Sequence, residues 1–241
     1  MSKQFKMEVK SNEELVNGVY KMVVNHEFEG RPGQFANIKV EGQYLRRPIS
    51  ISRIHKDSFE MLYKLKGEGT KKLAQYKANQ EIDIILPLGN GFDLVEEKKV
   101  LLIGGGIGVP PLLELYHQLK TQNKSVELLI GVTGEEDNIY SEYNPIVTTI
   151  LPSKYYQGNV IEYLKDHDID YDYVYACGPM GMLNAIQEYV SCPGQISIEE
   201  KMGCGFGVCN ACTCKTKDKE YKRICVEGPV FKIGELDLND Y

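Results

Sequence analysis

The sequence lacks the features that would place it at a membrane or on nucleic acid. Its net charge is −6 at pH 7, and no cluster of Lys and Arg offers the basic surface that nucleic acid requires. The first ten residues, M-S-K-Q-F-K-M-E-V-K, are charged from the start, so we expect no secretory signal. The longest apolar stretch, V-L-L-I-G-G-G-I-G-V-P-P-L-L, is interrupted by Gly and Pro and cannot be a membrane span. We therefore expect a cytoplasmic protein without membrane or nucleic-acid partners.

Internal repeats and low-complexity tracts are also absent from the 241 residues, whose 42% hydrophobic and 26% charged content is that of a globular protein. Cysteine is the exception to this ordinary composition. Four of the seven cysteines lie between Cys204 and Cys214, and a fifth follows at Cys225. In a reducing compartment, clustered thiols are metal ligands or redox groups more often than disulfides.

The pattern of secondary structure changes near residue 97. Before it, short strand-like runs separated by turn signals, with one helical patch at Lys71 to Lys77, favour a small antiparallel barrel. After it, strands and helices alternate, which favours a parallel sheet covered by helices. The last part of the chain is rich in Cys, Gly and Lys and is too small to form its own core. We predict a β plus α/β protein with a barrel over residues 1–96, a nucleotide-binding α/β domain over 97–192 and a cofactor-holding segment over 193–241.

A glycine run, G-G-G-I-G-V-P-P, lies at the turn between the first strand and the first helix of the α/β region. Backbone N–H groups at a helix N-terminus attract phosphate, and glycines let a ligand approach the chain closely. The run does not match G-x-G-x-x-G, and a tight turn without a ligand is the alternative. The candidate nucleotide-binding residues of this turn are Gly104, Gly105, Gly106 and Gly108.

A second loop, A-C-G-P-M from Ala176 to Met180, follows a later strand. It lies at the carboxyl end of that strand, where open α/β sheets bind ligands. A lone Cys177 is otherwise a small buried hydrophobe. Taken with the glycine run, the loop resembles the nicotinamide-binding loops of the ferredoxin reductase superfamily. The resemblance implies that Cys177 lies beside the nicotinamide as a catalytic-site residue, with Gly178 and Pro179 in the binding loop.

The resemblance to this superfamily extends into the barrel. L-R-R-P-I-S-I resembles the flavin motif Arg-x-Tyr-Ser, in which the Arg meets the pyrophosphate and the Ser reaches the flavin ring. Ile49 stands where many relatives place a ring-stacking Tyr, and Tyr63 is a candidate for that contact. The alternative for L-R-R-P-I-S-I is an edge strand with a proline. M-L-Y-K-L-K-G-E-G-T resembles the strand and the G-x-G-T turn that complete the site. The resemblance implies an FAD site formed by Arg47, Pro48, Ile49, Ser50, Leu62, Tyr63, Lys64, Gly69 and Thr70.

The cysteine spacing predicts a metal centre. Cys204-x4-Cys209-x2-Cys212 has the plant-type [2Fe–2S] spacing, which needs a fourth, more distant cysteine, and Cys225 supplies it. The glycines of the loop allow it to wrap a cluster with N–H groups directed at sulfur. Structural zinc is the rival four-thiolate site, although zinc usually takes its ligands as two short pairs. Cys214 is close enough in sequence to replace Cys212, and we assign the third ligand to Cys212.

The order of these motifs resembles one family over nearly the whole chain, the electron transfer subunits of NAD-dependent (class 1B) dihydroorotate dehydrogenases. The resemblance implies one FAD and one [2Fe–2S] cluster per subunit, with NAD as substrate. It also implies a heterotetramer of two plus two with an FMN-containing catalytic subunit that oxidises dihydroorotate in pyrimidine (UMP) biosynthesis. Electrons would then run from FMN through the cluster and FAD to NAD⁺.

The chemistry of these cofactors gives an independent reason for their combination. Nicotinamide carries two electrons as hydride, an iron–sulfur cluster carries one, and flavin can do both. We find no group of residues suited to oxidising an organic substrate, so the chain is expected to need a partner. The alternatives are the small subunit of an NADH-dependent ferredoxin:NADP⁺ or sulfide oxidoreductase, and a non-enzymatic zinc-binding module.

The sequence also predicts which nicotinamide nucleotide is preferred. Three acidic residues follow the second strand of the α/β region: Glu135, Glu136 and Asp137. Their charges would repel the 2′-phosphate of NADP, so we expect a preference for NAD(H).

Overall fold

The chain forms a closed barrel, a seven-stranded sheet and a two-stranded hairpin. A computed structural model describes residues 2–239, without the side chains of Glu135 and Glu136. Among these residues, no helix has the length and apolar character that crossing a membrane requires.

The barrel occupies the N-terminal part of the chain. Its elements are β1 (Lys3–Val16), β2 (Val19–Asn25), β3 (Phe35–Lys39), β4 (Arg47–Ile54), β5 (Ser58–Lys64), α1 (Glu68–Leu73) and β6 (Glu81–Leu88). The strands are antiparallel and close in the order β1-β2-β5-β4-β3-β6. Apolar and polar residues alternate, so that Ile82, Ile84 and Leu86 of β6 fill the interior. This confirms the predicted antiparallel barrel.

The helical patch of the barrel lies earlier than predicted. It was expected over Lys71 to Lys77, and α1 begins at Glu68 and ends at Leu73. The start is set by Thr70, whose Oγ1 accepts the N–H groups of Lys66 at 2.9 Å and Gly67 at 3.3 Å. These two bonds satisfy donors that would otherwise be unpaired before the first turn.

The second part of the chain alternates strands and helices, as predicted. Its elements are β7 (Lys99–Gly105), α2 (Pro110–Thr121), β8 (Ser125–Val132), β9 (Ile146–Thr149), β10 (Tyr156–Gln157), α3 (Val160–Asp166), β11 (Tyr173–Cys177), α4 (Met180–Tyr189) and β12 (Gly194–Ser197), with 3-10 helices at Gly106–Gly108 and Glu135–Tyr143. Adjacent strands from β10 to β12 run parallel. The central strands β7 and β11 are apolar and buried nearly throughout because helices cover both faces.

The C-terminal segment leaves the large sheet and returns to it. It contains the hairpin of β13 (Thr213–Lys215) and β14 (Tyr221–Arg223), and then β15 (Val230–Lys232). β15 pairs antiparallel with β12, which completes the sheet order β10-β9-β8-β7-β11-β12-β15. The sheet therefore continues beyond residue 192, where the α/β domain was predicted to end.

One apolar core connects all three parts of the chain. It includes Phe35 of the barrel, Ile103 of the sheet, and Cys212 and Ile224 of the C-terminal segment. Separate cores fill the barrel interior and the other face of the sheet. The C-terminal segment thus obtains its burial from the other two parts, which holds its cysteines close to the barrel.

Candidate redox site

A cleft of about 970 Å³ lies between the barrel and the large sheet. Strands β4 and β5 form one wall, and the last residues of β11 and β12 together with residues that follow β12 contribute to the other. All of the predicted FAD-binding residues except Gly69 line this cleft, together with Cys177: Arg47, Pro48, Ile49, Ser50, Leu62, Tyr63, Lys64 and Thr70. The structure therefore brings the two barrel motifs together on one surface.

Gly69 contributes by allowing a close approach to Arg47. A Cβ atom at Gly69 would lie 1.9 Å from Arg47 Nε, so any larger residue would displace the guanidinium. Arg47 Nη2 donates to Gln43 Oε1 at 2.6 Å, and Nη1 donates to the carbonyl of Leu45 at 2.5 Å. A cation is thereby held at the cleft wall, where a pyrophosphate could accept charge-assisted hydrogen bonds.

The tyrosine of β5 is fixed inside the barrel wall. Tyr63 is 2% exposed, and its hydroxyl donates to Asn12 Oδ1 at 2.9 Å. Its ring is stacked on that of Tyr20 with centroids 5.7 Å apart, and burial raises the pKa of Tyr63 above its usual value. Tyr63 is therefore neutral at pH 7. Ile49 and Leu62 add apolar side chains to the lining of the first cleft.

A second cleft, of about 1190 Å³, adjoins the first and has the predicted nucleotide loops on its wall. A Cβ at Gly108 would lie 2.5 Å from the carbonyl oxygen of Cys177, and one at Gly105 would lie 2.8 Å from Pro179. The two loops therefore contact each other, and only glycine permits this. The predicted residues on the wall are Gly105, Gly106, Gly108, Gly178 and Pro179.

Gly104 lies outside this wall and has a packing role. A Cβ atom at Gly104 would come within 2.6 Å of Val109 Cγ2, so glycine lets the loop pack tightly against the end of β7.

Three acidic residues after β8 were predicted to repel the 2′-phosphate of NADP. The side chains of two of them, Glu135 and Glu136, lie outside the described part of the chain. Asp137 Oδ2 accepts the hydroxyl of Tyr155 at 2.5 Å.

Cys177 is the last residue of β11 and is 1% exposed; it lines the first cleft, and the next residue, Gly178, lines the second. Burial strongly raises the pKa of its thiol, the charge of Glu199 raises it further, and a hydrogen bond with Ser197 opposes the rise. The thiol is therefore protonated at neutral pH. A protonated thiol is not an activated nucleophile, because the thiolate is the reactive form.

Sequence reasoning missed the wall that follows β12. The run I-S-I-E-E-K-M begins with the last two residues of this strand and continues beyond it. Lys66 also faces both clefts. The carboxyl-edge rule that identified Cys177 would have found the run had β12 been assigned to the sheet. The unpredicted lining residues are Phe35, Lys66, Ile107, Ser197, Ile198, Glu199, Glu200, Met202 and Pro229 in the first cleft, and Lys66, Ile107, Met180, Glu199, Glu200 and Lys201 in the second.

Two of the predicted cluster ligands interact directly. Cys204 Sγ accepts the N–H groups of Val208 at 3.3 Å and Cys209 at 3.5 Å, and Cys209 Sγ accepts the N–H of Cys204 at 3.2 Å. Burial raises the pKa of Cys204, but hydrogen bonds from the N–H groups of Phe206, Cys209 and Val208 outweigh it and lower the pKa to about 6. The lowered pKa favours the thiolate form, which is the form that binds metals.

The other two predicted ligands form a second pair. The thiols of Cys212 and Cys225 are within hydrogen-bonding reach, and burial together with Cys212 raises the pKa of Cys225 to about 12. Cys214 instead donates to the carbonyl of Lys222 at 3.3 Å, and burial raises its pKa to about 11. Cys214 thus has a partner within the hairpin, whereas Cys212 faces the fourth predicted ligand.

The loop between Cys204 and Cys209 depends on glycine. Gly205 has φ +81° and Gly207 has φ +90°, a left-handed region that favours glycine. Among residues 2–239, no three His, Cys, Asp or Glu side chains converge as ligands of a single metal ion. Two thiol pairs fit a two-iron cluster, because each iron of a [2Fe–2S] centre takes two protein ligands. The residues present therefore fit an iron–sulfur cluster.

Comparison with known proteins agrees with this geometry. The family model "Iron-sulfur cluster binding domain of dihydroorotate dehydrogenase B" matches residues 199–237. The "Dihydroorotate dehydrogenase B (NAD(+)), electron transfer subunit" of Lysinibacillus sphaericus is 39% identical over 257 residues, covering 99% of this chain and 100% of the relative. The protein of the same name from Bacillus pumilus is 38% identical over 250 residues, covering 96% and 97%.

Solved structures support the fold. A chain of the NADH-dependent reduced ferredoxin-NADP oxidoreductase, studied for flavin-based electron bifurcation, superposes with a TM-score of 0.86 at 25% identity, covering 97% of this chain and 90% of that chain. Phthalate dioxygenase reductase superposes with a TM-score of 0.65 at 15% identity, covering 89% and 87%, which shows a shared fold.

These findings confirm the predicted fold class and the predicted set of FAD, [2Fe–2S] cluster and NAD. They do not favour the ferredoxin:NADP⁺ alternative, because full-length identity to the dihydroorotate dehydrogenase relatives is 39% against 25% for that neighbour. The chain belongs to the family of electron transfer subunits of dihydroorotate dehydrogenase B (NAD(+)).

Proposed function

We propose that this chain carries electrons from a dihydroorotate-oxidising catalytic subunit to NAD⁺ in pyrimidine biosynthesis. The observation that carries the proposal is that the two clefts and the cysteine-containing segment have lining residues in common. The first cleft shares Lys64, Ile107 and Glu199 with the second, and it takes Met202 and Pro229 from the segment that contains the cysteines. When bound, FAD exchanges hydride with NAD(H) and single electrons with an iron–sulfur cluster.

Residues of the first cleft hold FAD in this proposal. Arg47 pairs with the pyrophosphate, since it is a fixed cation at the cleft wall, and Thr70 and Gly69 shape the turn beside it. Ile49 and Leu62 provide apolar surface for the flavin ring, while Ser50 supplies a polar group on the same strand as Arg47.

Residues of the second cleft hold NAD. Main-chain groups of the glycine run lie before α2, where N–H groups attract phosphate. The two clefts adjoin at Cys177, which lines the first, and Gly178, which lines the second, so a nicotinamide placed beside Cys177 would also be next to the flavin. Its neutral, buried thiol helps to exclude water from that junction.

The cluster is held by Cys204, Cys209, Cys212 and Cys225. The last two are buried, while Cys209 is exposed, so the four cysteines that would hold the cluster extend from the shared core to the surface. Backbone N–H groups donated to Cys204 stabilise negative charge on its sulfur.

The catalytic subunit docks where the cluster reaches the surface. Three apolar side chains near Cys209 are unusually exposed: Phe206 at 47%, Val208 at 75% and Val226 at 42%. Exposed apolar groups of this kind mark interaction surfaces, and covering them would exclude water from the cluster. We propose that the partner is the FMN-containing dihydroorotate dehydrogenase subunit, in a cytoplasmic heterotetramer of two plus two.

A visible absorption spectrum tests the redox assignment. Anaerobically purified chain should show flavin bands and the broad red-brown absorption of a cluster, and NADH should bleach both. The isolated chain should reduce artificial dyes with NADH, and it should not oxidise dihydroorotate. A colourless, zinc-containing protein would contradict the proposal.

A further inference from the structure

A buried amide side chain lies between the flavin cleft and the cysteine loop. Asn37 is in β3, where it is 0% exposed. It is directly opposite Pro48 of β4 in the barrel register, and Pro48 lines the flavin cleft. Phe35, two residues earlier on the same strand, lines the cleft as well. Asn37 is therefore fixed by its main chain to the strands that form the flavin site.

The side chain of Asn37 is bound to the cluster loop. Its Nδ2 donates to the carbonyl oxygen of Cys204 at 3.0 Å. A Cβ atom at Gly205 would lie 2.4 Å from the same nitrogen, so the loop approaches Asn37 as closely as glycine permits. No described residue gives Asn37 Oδ1 a hydrogen bond. Burying a polar group without a hydrogen-bond partner lowers the free energy of unfolding. Because the Oδ1 of Asn37 has this cost, we expect the Nδ2 contact to provide a function.

We propose that Asn37 is a positioning residue that holds the Cys204 loop against the flavin-binding strands and so sets how fast electrons pass between flavin and cluster. The inference rests on the proposed function. One short side chain connects a strand of the flavin site to the first cluster ligand, with a single hydrogen bond and one glycine contact. Without it, the Cys204 carbonyl loses its partner and the loop is free to shift relative to the cleft.

The first test replaces Asn37 in the cofactor-loaded protein. Asn37→Leu keeps the approximate volume and removes the donor, and Asn37→Ser is a second, smaller replacement. The matched control is Ser52→Ala, because Ser52 is also 0% exposed in the barrel and its hydroxyl donates to the carbonyl of Glu60 at 3.0 Å. The rate at which a chelator removes iron should rise about 2- to 10-fold in the Asn37 variants. This is the ratio that corresponds to the free energy of one hydrogen bond.

The second readout follows electrons directly. NADH, oxidised to NAD⁺, supplies two electrons to the flavin; the oxidised cluster then accepts one of them, and the other stays on the flavin. Stopped-flow absorbance separates flavin reduction from cluster reduction. The ratio of the cluster rate to the flavin rate should fall in both Asn37 variants and stay at the wild-type value in Ser52→Ala. Equal ratios in all variants that retain both cofactors would overturn the inference.

A double-mutant comparison isolates the contact with the loop. Gly205→Ala adds a methyl group that meets Asn37, whereas Gly207→Ala adds one that meets Val226 at 2.5 Å. Both positions have positive φ, so backbone strain is matched. Adding Asn37→Ala should partly rescue the cluster content of Gly205→Ala and should not rescue Gly207→Ala. Equal behaviour of the two glycine variants would contradict the assigned contact.

Wild-type protein distinguishes this inference from the proposed function. If the wild type lacks flavin or cluster, the proposed function fails and the inference fails with it. If the wild type contains both and NADH reduces both, while the Asn37 variants match it in chelator sensitivity and rate ratio, only the role of Asn37 is refuted.

Discussion

A buried ion pair joins the flavin-binding barrel to the helix that follows the glycine run, and its removal should destabilise the protein. Glu114 Oε2 of α2 lies 3.5 Å from Arg53 Nε of β4, with the two side chains 9% and 19% exposed. The same oxygen accepts the N–H of Ile54 at 2.9 Å, and Oε1 accepts the amide of Gln118 at 2.9 Å. Glu114→Ala therefore removes the carboxylate that pairs with Arg53 and leaves the N–H of Ile54 without its acceptor.

The expected loss follows from this geometry. Removing one partner of a buried pair costs about 3–5 kcal/mol, and the partial exposure of Arg53 places the value near the lower end, at about 3 kcal/mol. For a chain of this size, about 1 kcal/mol moves the unfolding midpoint by roughly 2–4 °C. We expect Glu114→Ala to lower the midpoint by about 6–12 °C. Glu114→Gln should lose less, since its carbonyl oxygen can still accept from Ile54.

Scanning calorimetry of the cofactor-loaded variants measures this shift. The matched control is Glu81→Ala, because Glu81 pairs with Lys6 at 2.8 Å on the barrel surface, where the side chains are 63% and 73% exposed. Exposed pairs of this kind contribute little to stability, so we expect no resolvable change. If Glu114→Ala lowered the midpoint no more than Glu81→Ala, the claim that this pair joins barrel and helix would be refuted.

Three further predictions concern the cofactors. Cys212→Ser should abolish the cluster while Cys214→Ser should retain it, as measured by iron and sulfide content; the reverse result would transfer the ligand role to Cys214. Arg47→Ala should weaken FAD binding by about 1.5–3 kcal/mol in a fluorescence titration while the cluster is retained, and unchanged affinity would remove Arg47 from the site. NADH should be preferred to NADPH, with Asp137 among the repelling charges, and equal kcat/KM values would contradict that preference.

The sequence predicted those parts of the fold that local patterns determine. The alternation of polar and apolar residues in β6 and the apolar character of β7 are visible in single segments. The 14-residue strand β1 is harder to recognise from the sequence, although Phe5, Met7 and Val9 alternate with charged residues at its start. The many exposed Lys and Glu residues of β1 obscure the alternation of its side chains, of which every second one from Phe5 to Val9 faces the barrel interior.

Long-range contacts explain what the sequence could not predict. β12 and β15 are short strands: β12 pairs with β11 earlier in the chain, and β15 pairs with β12 across more than thirty residues. The wall formed by Ser197 and Glu199 was therefore overlooked. Nothing in F-A-N-I-K indicates that Asn37 meets Cys204, which is 167 residues away. The cysteine spacing predicted a cluster, whereas only the structure shows that Cys212 faces Cys225 and that Cys214 donates to the carbonyl of Lys222.

Formation of NADH from dihydroorotate tests the central claim most directly. The chain would be co-expressed with its FMN-containing catalytic partner, and NADH and orotate would be measured when dihydroorotate and NAD⁺ are supplied. We predict a stable complex that forms one NADH per orotate, and Cys209→Ser should abolish this coupling while the partner still reduces a dye. If NADH formation never exceeded that of the catalytic subunit alone, and the complex reduced ferredoxin instead, the account would be contradicted.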